Sequence, residues 1–322
     1  MSRAGFRAPP NRPRPAPHVP QAAGASSRAS HATPNPSPFR PRRERRVEGH
    51  HYFEGFVRKS EHEEFLGWLH TLRPLWEYRY AGGNGASSNP GAGDRRLLRP
   101  VYWLGNWQFA CLDYYRPPHG VRDRCVQAEP FPPLLRHWVK DIEQRIQRLF
   151  PPAHIPPRFH LNTCLVNFYG NRLEDGRWQD CARVGEHRDF EPGPVASISI
   201  GERALIQFVL PRPRGERAEP LLSQWLDDAS LQIFGGPLLK DRALHRVQRV
   251  DRRAKLELPP AIQGFSTRRV NLTFRYVPDE HIVPFERLGE KPRGLVQGYV
   301  AELAQHSEFF KAALERVRAR DR

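Results

Sequence analysis

Two hydrophobic periods divide the chain. Between residues 60 and 150, apolar positions recur every three or four residues. That is the period of a helix with one buried face. "SEHEEFLGWLHTLRPL" (Ser60–Leu75) places Phe65, Leu66, Trp68, Leu69 and Leu72 on such a stripe. Ser60, followed three residues on by Glu63, has capping-box spacing and predicts the helix start. "FPPLLRHWVKDIEQRIQRLF" (Phe131–Phe150) repeats the pattern with Leu134, Leu135, Trp138, Ile142, Ile146 and Leu149. From Phe159 to Val277 the period becomes two. "FHLNTCLVNFYG", "VASISIG", "ALIQFVL", "LLSQWL", "ASLQIF", "HRVQRV" and "RRVNLTFRYV" read as short strands between turn residues. After Pro284, "LVQGYVAELAQHSEFFKAALERVRARDR" reads as a C-terminal helical tail. The predicted class is mainly β with flanking helices, a sandwich or barrel buttressed by helices.

Residues 1–48 carry no such period. They are rich in Pro, Ala, Ser and Arg, and the prolines forbid a continuous helix. With little to bury, this segment is expected to be a disordered basic arm. The expected division is therefore arm (1–48), helical support and lid (49–158), core (159–280) and tail (281–322). Within the support, "AGGNGASSNPGAGD" (Ala81–Asp94) predicts a mobile glycine-rich loop.

Charge narrows the partners. Among 322 residues, 51 Lys and Arg face 35 Asp and Glu, a net charge of +16. Through Arg46 the arm holds ten arginines and one acid, Glu44, so it carries more than half of that excess. Such a chain favours a polyanion, with nucleic acid first and anionic membrane second. No apolar run approaches the roughly 20 residues that span a bilayer. No apolar stretch follows the N-terminus, so a secretory leader is not expected. Cys111, Cys125, Cys164 and Cys181 are scattered and form no C-x-x-C pair. This fits a reducing compartment rather than a disulfide framework. The expectation is a cytoplasmic monomer, with nucleoid association as the alternative, and no membrane contact.

The candidate chemistry begins in "VGEHRDFEPGPVASISIG" (Val184–Gly201). Strand residues two apart face the same way. His187 and Asp189 then present an imidazole and a carboxylate together, with Arg188 turned away. A 2-His-1-carboxylate triad needs one further histidine. His245 is the one histidine between Asp189 and the end of the strand region. Taken alone, the H-x-D pair is more often two polar residues at an exposed strand edge, and zinc is another possible ion. "RRVNLTFRY" adds weight. It places Arg269, Asn271, Thr273 and Arg275 on one strand face and Val270, Leu272 and Phe274 on the other. Two buried arginines are costly unless they meet an anion, and guanidinium forks match carboxylates. A dicarboxylate held beside a metal accounts for both features; an exposed polar edge strand is the alternative. "VNFYG" adds Asn167 and Tyr169 on one further face.

Taken together, N-x-Y, H-x-D, a distal His and R-x-N-x-T-x-R resemble the AlkB family of Fe(II)/2-oxoglutarate-dependent dioxygenases. The resemblance covers roughly Phe159–Val277. It implies a double-stranded β-helix (jelly roll) with Fe(II) on His187, Asp189 and His245. It implies 2-oxoglutarate chelating the iron, and O2 as the oxidant. The far carboxylate of 2-oxoglutarate would meet Arg269, its near end would meet Arg275, Asn167 and Tyr169, and Asn271 is a further cofactor candidate. Glu191 stands where an acid of the family meets the exocyclic amine of the alkylated base. "RPVYWLGNWQFACLDYY" (Arg99–Tyr115) is similar to the family's nucleotide-recognition lid, although Leu104 stands where a tyrosine is common. A base undergoing chemistry leaves the stack and sits between flat side chains. Tyr102, Trp103, Trp107 and Tyr115 have such faces, and Arg95, Arg96 and Arg99 suit phosphates. Core packing is the alternative for each aromatic. "GNRLEDGRWQDCARV" departs from the family pattern as an insertion that would shape the pocket rim.

The function implied by the resemblance is oxidative demethylation of bases such as 1-methyladenine and 3-methylcytosine. Single-stranded or locally opened DNA would be the substrate, and aldehyde, succinate and CO2 the products. The alternatives are an AlkB-like demethylase of RNA or protein, and a basic nucleic-acid-binding module with a vestigial metal site.

Overall fold

A computed structural model describes residues 47–79, 95–115, 124–213, 215–216, 219–248 and 257–320. The arm up to Arg46 and the glycine-rich loop at 81–94 lie outside these residues. The first half of the described chain supplies β1 (His50–Phe53), α1 (Lys59–Leu69), β2 (Tyr78–Arg79), β3 (Arg95–Arg96), β4 (Val101–Leu104), β5 (Asn106–Trp107), β6 (Cys125–Gln127) and α2 (Pro133–Leu149). The strand region supplies β7 (Thr163–Glu174), β8 (Arg177–Asp180), β9 (Val184–His187), β10 (Val195–Gly201), β11 (Ala204–Val209), β12 (Leu222–Leu226), β13 (Ser230–Phe234), β14 (Leu244–Gln248) and β15 (Phe265–Arg275). The chain continues through β16 (Ile282–Val283), α3 (Glu290–Leu303) and α4 (Glu308–Arg320).

The strands form a jelly roll. Its major sheet runs β1-β13-β10-β15-β7-β4, with β8 hairpinned onto β7, and its minor sheet runs β12-β11-β14-β9. All pairings in these two sheets are antiparallel. The period-two pattern explains the layers. Val270, Leu272 and Phe274 of β15, with Val166 and Phe168 of β7, join a core shared with Trp138, Ile142 and Ile146 of α2. The opposite face of the major sheet meets the minor sheet, where Tyr169, Val195 and Phe234 cluster with Ile206, Phe208 and Val247. Polar side chains of β7 and β15 thus point between the sheets, where water is scarce. The insertion after Tyr169 is the hairpin β7–β8, in which Leu173 pairs with Trp178.

Gly170 lets β7 lie close against β15: a Cβ there would sit 1.9 Å from the Ser266 carbonyl oxygen. Just beyond, the register shifts by one residue between Thr267 and Arg269. At this bulge Arg268 pairs with Glu202 at 2.8 Å.

Three local expectations change. The cap of α1 is Arg58, whose N–H and guanidinium both donate to Glu61, in place of Ser60 with Glu63. The helix stops at Leu69, because Leu75 leaves it to pair with Val101 on β4. The predicted C-terminal tail is two helices, and Leu295, Val296, Val300, Leu303 and Phe310 belong to the same core as Trp107 and Phe109. All four cysteines are free and buried. Among the described residues, no helix is long and apolar enough to cross a membrane.

Candidate active site

His187 is the last residue of β9, and it pairs across the minor sheet with His245 of β14. Their rings lie 4.2 Å apart between centroids. Asp189 follows two residues later. The expectation that it shares a strand face with His187 needs correction: β9 ends at His187, and Asp189 and Glu191 lie in the loop before β10. The Pro192-Gly193-Pro194 turn returns the chain to the major sheet before a longer strand can form. The loop still brings the three groups together. One ligand atom from each of His187, Asp189 and His245 lies within 4.8 Å of the others.

The electrostatics suit a cation. His187 Nδ1 faces the Gly185 carbonyl oxygen at 2.8 Å, and as the N–H donor it leaves Nε2 with a free lone pair. His245 Nε2 lies 3.7 Å from Asp189 Oδ2, too far for a hydrogen bond. Burial, helped by His187, lowers the His245 pKa to about 3, so its imidazole is a neutral ligand. Burial alone would raise the Asp189 pKa. Arg275, His245, Lys240 and His187 outweigh it and hold the carboxyl well below its ordinary value. Arg275 Nη2 donates to Asp189 Oδ1 at 2.9 Å, and Lys240 Nζ donates to its backbone carbonyl at 2.7 Å. Asp189 Oδ2 is left buried with no hydrogen-bond partner.

Beside this cluster lies a row of polar groups on the major sheet. Register pairs Arg269 with Tyr169, and Asn271 with both Asn167 and Ser199. Arg269 is 2% exposed. Its Nη2 donates to Ser199 Oγ at 2.9 Å and to Asn271 Oδ1 at 2.7 Å. Its Nε and Nη1 have no partner. A buried guanidinium with two donors unpaired within the protein suits an anion, because burying them without a partner costs their full desolvation.

A family model, described as the 2OG-Fe(II) oxygenase superfamily, matches residues 49–275. The chain belongs to this superfamily. Fe(II), 2-oxoglutarate and O2 are therefore its cofactor and co-substrates. No curated protein matches the oxygenase in sequence. Three solved structures are similar. OsALKBH1 is 18% identical with a TM-score of 0.44, and the match covers 72% of this oxygenase and 100% of that chain. A 2OG-Fe(II) oxygenase family oxidoreductase from Burkholderia pseudomallei is 12% identical with a TM-score of 0.38, covering 70% and 84%. YcfD, a ribosomal oxygenase from Escherichia coli in complex with cobalt and succinic acid, is 11% identical with a TM-score of 0.24, covering 56% and 48%.

The residues of this oxygenase fit the iron and the dicarboxylate. The orphaned Asp189 Oδ2 and the two imidazoles are the donor set of a facial triad. The free donors of Arg269 suit a carboxylate.

The residues expected to read the substrate divide. Glu191 is buried beside the triad, with Oε2 3.6 Å from Arg275 Nε. Tyr102, Trp103 and Trp107 pack into the core. They are 4%, 2% and 0% exposed within the apolar core. Trp107 stacks on Phe109 and donates its indole N–H to the buried Glu77 at 2.8 Å. Tyr102 donates its hydroxyl to Glu129. Tyr102 meets Trp107 edge-on, and Trp107 meets Phe310 of α4 edge-on. Arg99 is turned inward: its Nε donates to Asn167 Oδ1 at 3.2 Å.

Sequence reading missed Lys240 and Tyr114. Lys240 lies in a π-helical turn (Pro237–Arg242), and no pattern in "GGPLLKDR" announces it. Tyr114 follows Asp113, and both have left-handed backbone, φ +56° and +70°. Its ring lies under Arg79 and is electrostatically coupled to Arg99 and Arg275. Ser197 and Ser199 could have been found, since "VASISIG" puts both on one face by its period of two.

Proposed function

We propose that this oxygenase oxidatively demethylates alkylated bases in nucleic acid, with single-stranded or locally opened DNA as the first substrate. When bound, iron, 2-oxoglutarate and O2 would together supply the oxidant: one oxygen atom enters succinate as CO2 leaves, and the other hydroxylates an N-alkyl carbon. The carbon–nitrogen bond then breaks, and the carbon departs as an aldehyde. His187, Asp189 and His245 hold the metal on this reading. Arg269, Arg275, Asn167 and Tyr169 hold the co-substrate, with Asn271 fixing the Arg269 fork.

The observation that carries the substrate class is Glu191. It is buried two residues beyond Asp189, and its carboxylate lies 3.6 Å from Arg275 Nε. A carboxylate beside the reacting centre accepts from an exocyclic amine, the group that adenine and cytosine share. The net charge of +16 supports a polyanionic substrate.

The test is mass spectrometry of oligonucleotides bearing 1-methyladenine or 3-methylcytosine, offered as single-stranded DNA and as RNA in competition. The expected result is loss of one methyl mass per lesion, faster on DNA. Loss on RNA alone would move the substrate to RNA. No loss on either, with 2-oxoglutarate still consumed, would contradict the nucleic-acid reading.

A further inference from the structure

Arg99 lies just ahead of β4, and Val101, two residues on, pairs with Asn167 of β7. Its guanidinium therefore reaches over β7. Nε donates to Asn167 Oδ1 at 3.2 Å, and Nη1 donates to the Arg183 carbonyl oxygen at 3.2 Å. Its Cζ lies 4.6 Å from the Tyr169 ring centroid. The Arg269 guanidinium lies 4.9 Å from the same ring. Arg183 immediately precedes β9, the strand that ends in His187. One side chain thus ties together the lead-in to β4, strand β7 and the lead-in to the metal strand.

We infer that Arg99 is a positioning residue of the 2-oxoglutarate pocket, fixing the Asn167 amide and the Tyr169 ring against the dicarboxylate. The inference rests on the co-substrate pocket assigned above. With Oδ1 committed to Arg99, Asn167 has only its amide N–H groups to offer the pocket, and these are donors that suit a carboxylate. Arg99 also places a second positive charge on the ring already flanked by Arg269. A dianion between these groups relieves their repulsion, so the arrangement favours the doubly charged co-substrate. An arginine serving DNA phosphates would keep its fork in solvent. Here Nε and Nη1 are spent on an amide and a peptide carbonyl.

The experiment is an anaerobic titration of 2-oxoglutarate into the Fe(II)-loaded full chain, followed by charge-transfer absorption. The salt dependence of single-stranded oligonucleotide binding is measured in parallel. Arg99→Ala should raise the Kd for 2-oxoglutarate about tenfold, the loss of one charge-assisted hydrogen bond. The salt slope should stay that of the wild type. Arg99→Lys should recover only part of the affinity, since an ammonium keeps the charge but not the planar fork. Arg99→Ala combined with Asn167→Ala should weaken binding by less than the product of the two single losses. An unchanged Kd for 2-oxoglutarate with a shallower salt slope would overturn the inference and make Arg99 a phosphate contact. Single losses that multiply would overturn it as well. A wild-type protein with no absorption band would remove the pocket itself, a failure separate from either result.

Discussion

Asp189 meets three demands with three oxygens. Oδ1 anchors to Arg275, the backbone carbonyl takes Lys240, and Oδ2 stays unpaired toward the two imidazoles. Removing the side chain leaves Arg275 buried without its partner and the metal without its only carboxylate. Asp189→Ala and His187→Ala should therefore reduce demethylation to background while oligonucleotide affinity stays near that of the wild type. Activity assays beside fluorescence anisotropy check this, and equal loss of both would mean the site is misassigned. At this scale the sequence was most readable where residues recur at fixed spacing. H-x-D and R-x-N-x-T-x-R announce themselves because a strand repeats every two residues and both patterns lie at or beside strands. Lys240 and Tyr114 carry no such signal. One sits in an irregular turn and the other in strained backbone, and only the fold brings them to the site.

Among the elements, the helical stripes and short strands were legible because each buries one face. Their ends were less so. The α1 start shifted from Ser60 to Arg58 because the Glu61 carboxylate accepts from the Arg58 backbone N–H and is held there by the Arg58 guanidinium. The aromatics of β4 and β5 were the larger error. A tryptophan that stacks on a base and one that fills a core look alike in sequence, and burial separated them. Trp107→Ala should cost about 3–5 kcal/mol of stability, the usual range for a large core deletion. Chemical denaturation checks this. A variant of full stability with weakened oligonucleotide binding would restore Trp107 to the substrate surface.

Charge and pH act on the whole molecule. Through Arg46 the chain holds ten arginines and one acid. Deleting residues 1–46 should weaken nucleic-acid binding and flatten its salt dependence, because fewer counterions are released. Turnover of a short saturating substrate should not change. An unaltered salt slope would show that the arm is not a tether. His50, on β1, gives the stability profile a sign. Burial, with His51 beside it, lowers its pKa from 6.5 to about 4 in the folded state. Between these values the unfolded chain binds the proton and the folded chain does not, so this contribution falls as pH drops from 6.5 toward 4 and is level above it. In thermal melts His50→Gln should lose less stability than the wild type as pH drops from 6.5 toward 4; identical profiles would remove His50 as the cause.

The most direct test is to load the full chain anaerobically with Fe(II) and 2-oxoglutarate and record its visible absorption. Oxygen and a single-stranded oligonucleotide bearing 3-methylcytosine are then admitted, and the products are weighed. The expected outcome is a charge-transfer band that Asp189→Ala lacks, followed by loss of the methyl mass and formation of succinate. A well-folded protein that shows neither the band nor the mass change would contradict the central claim.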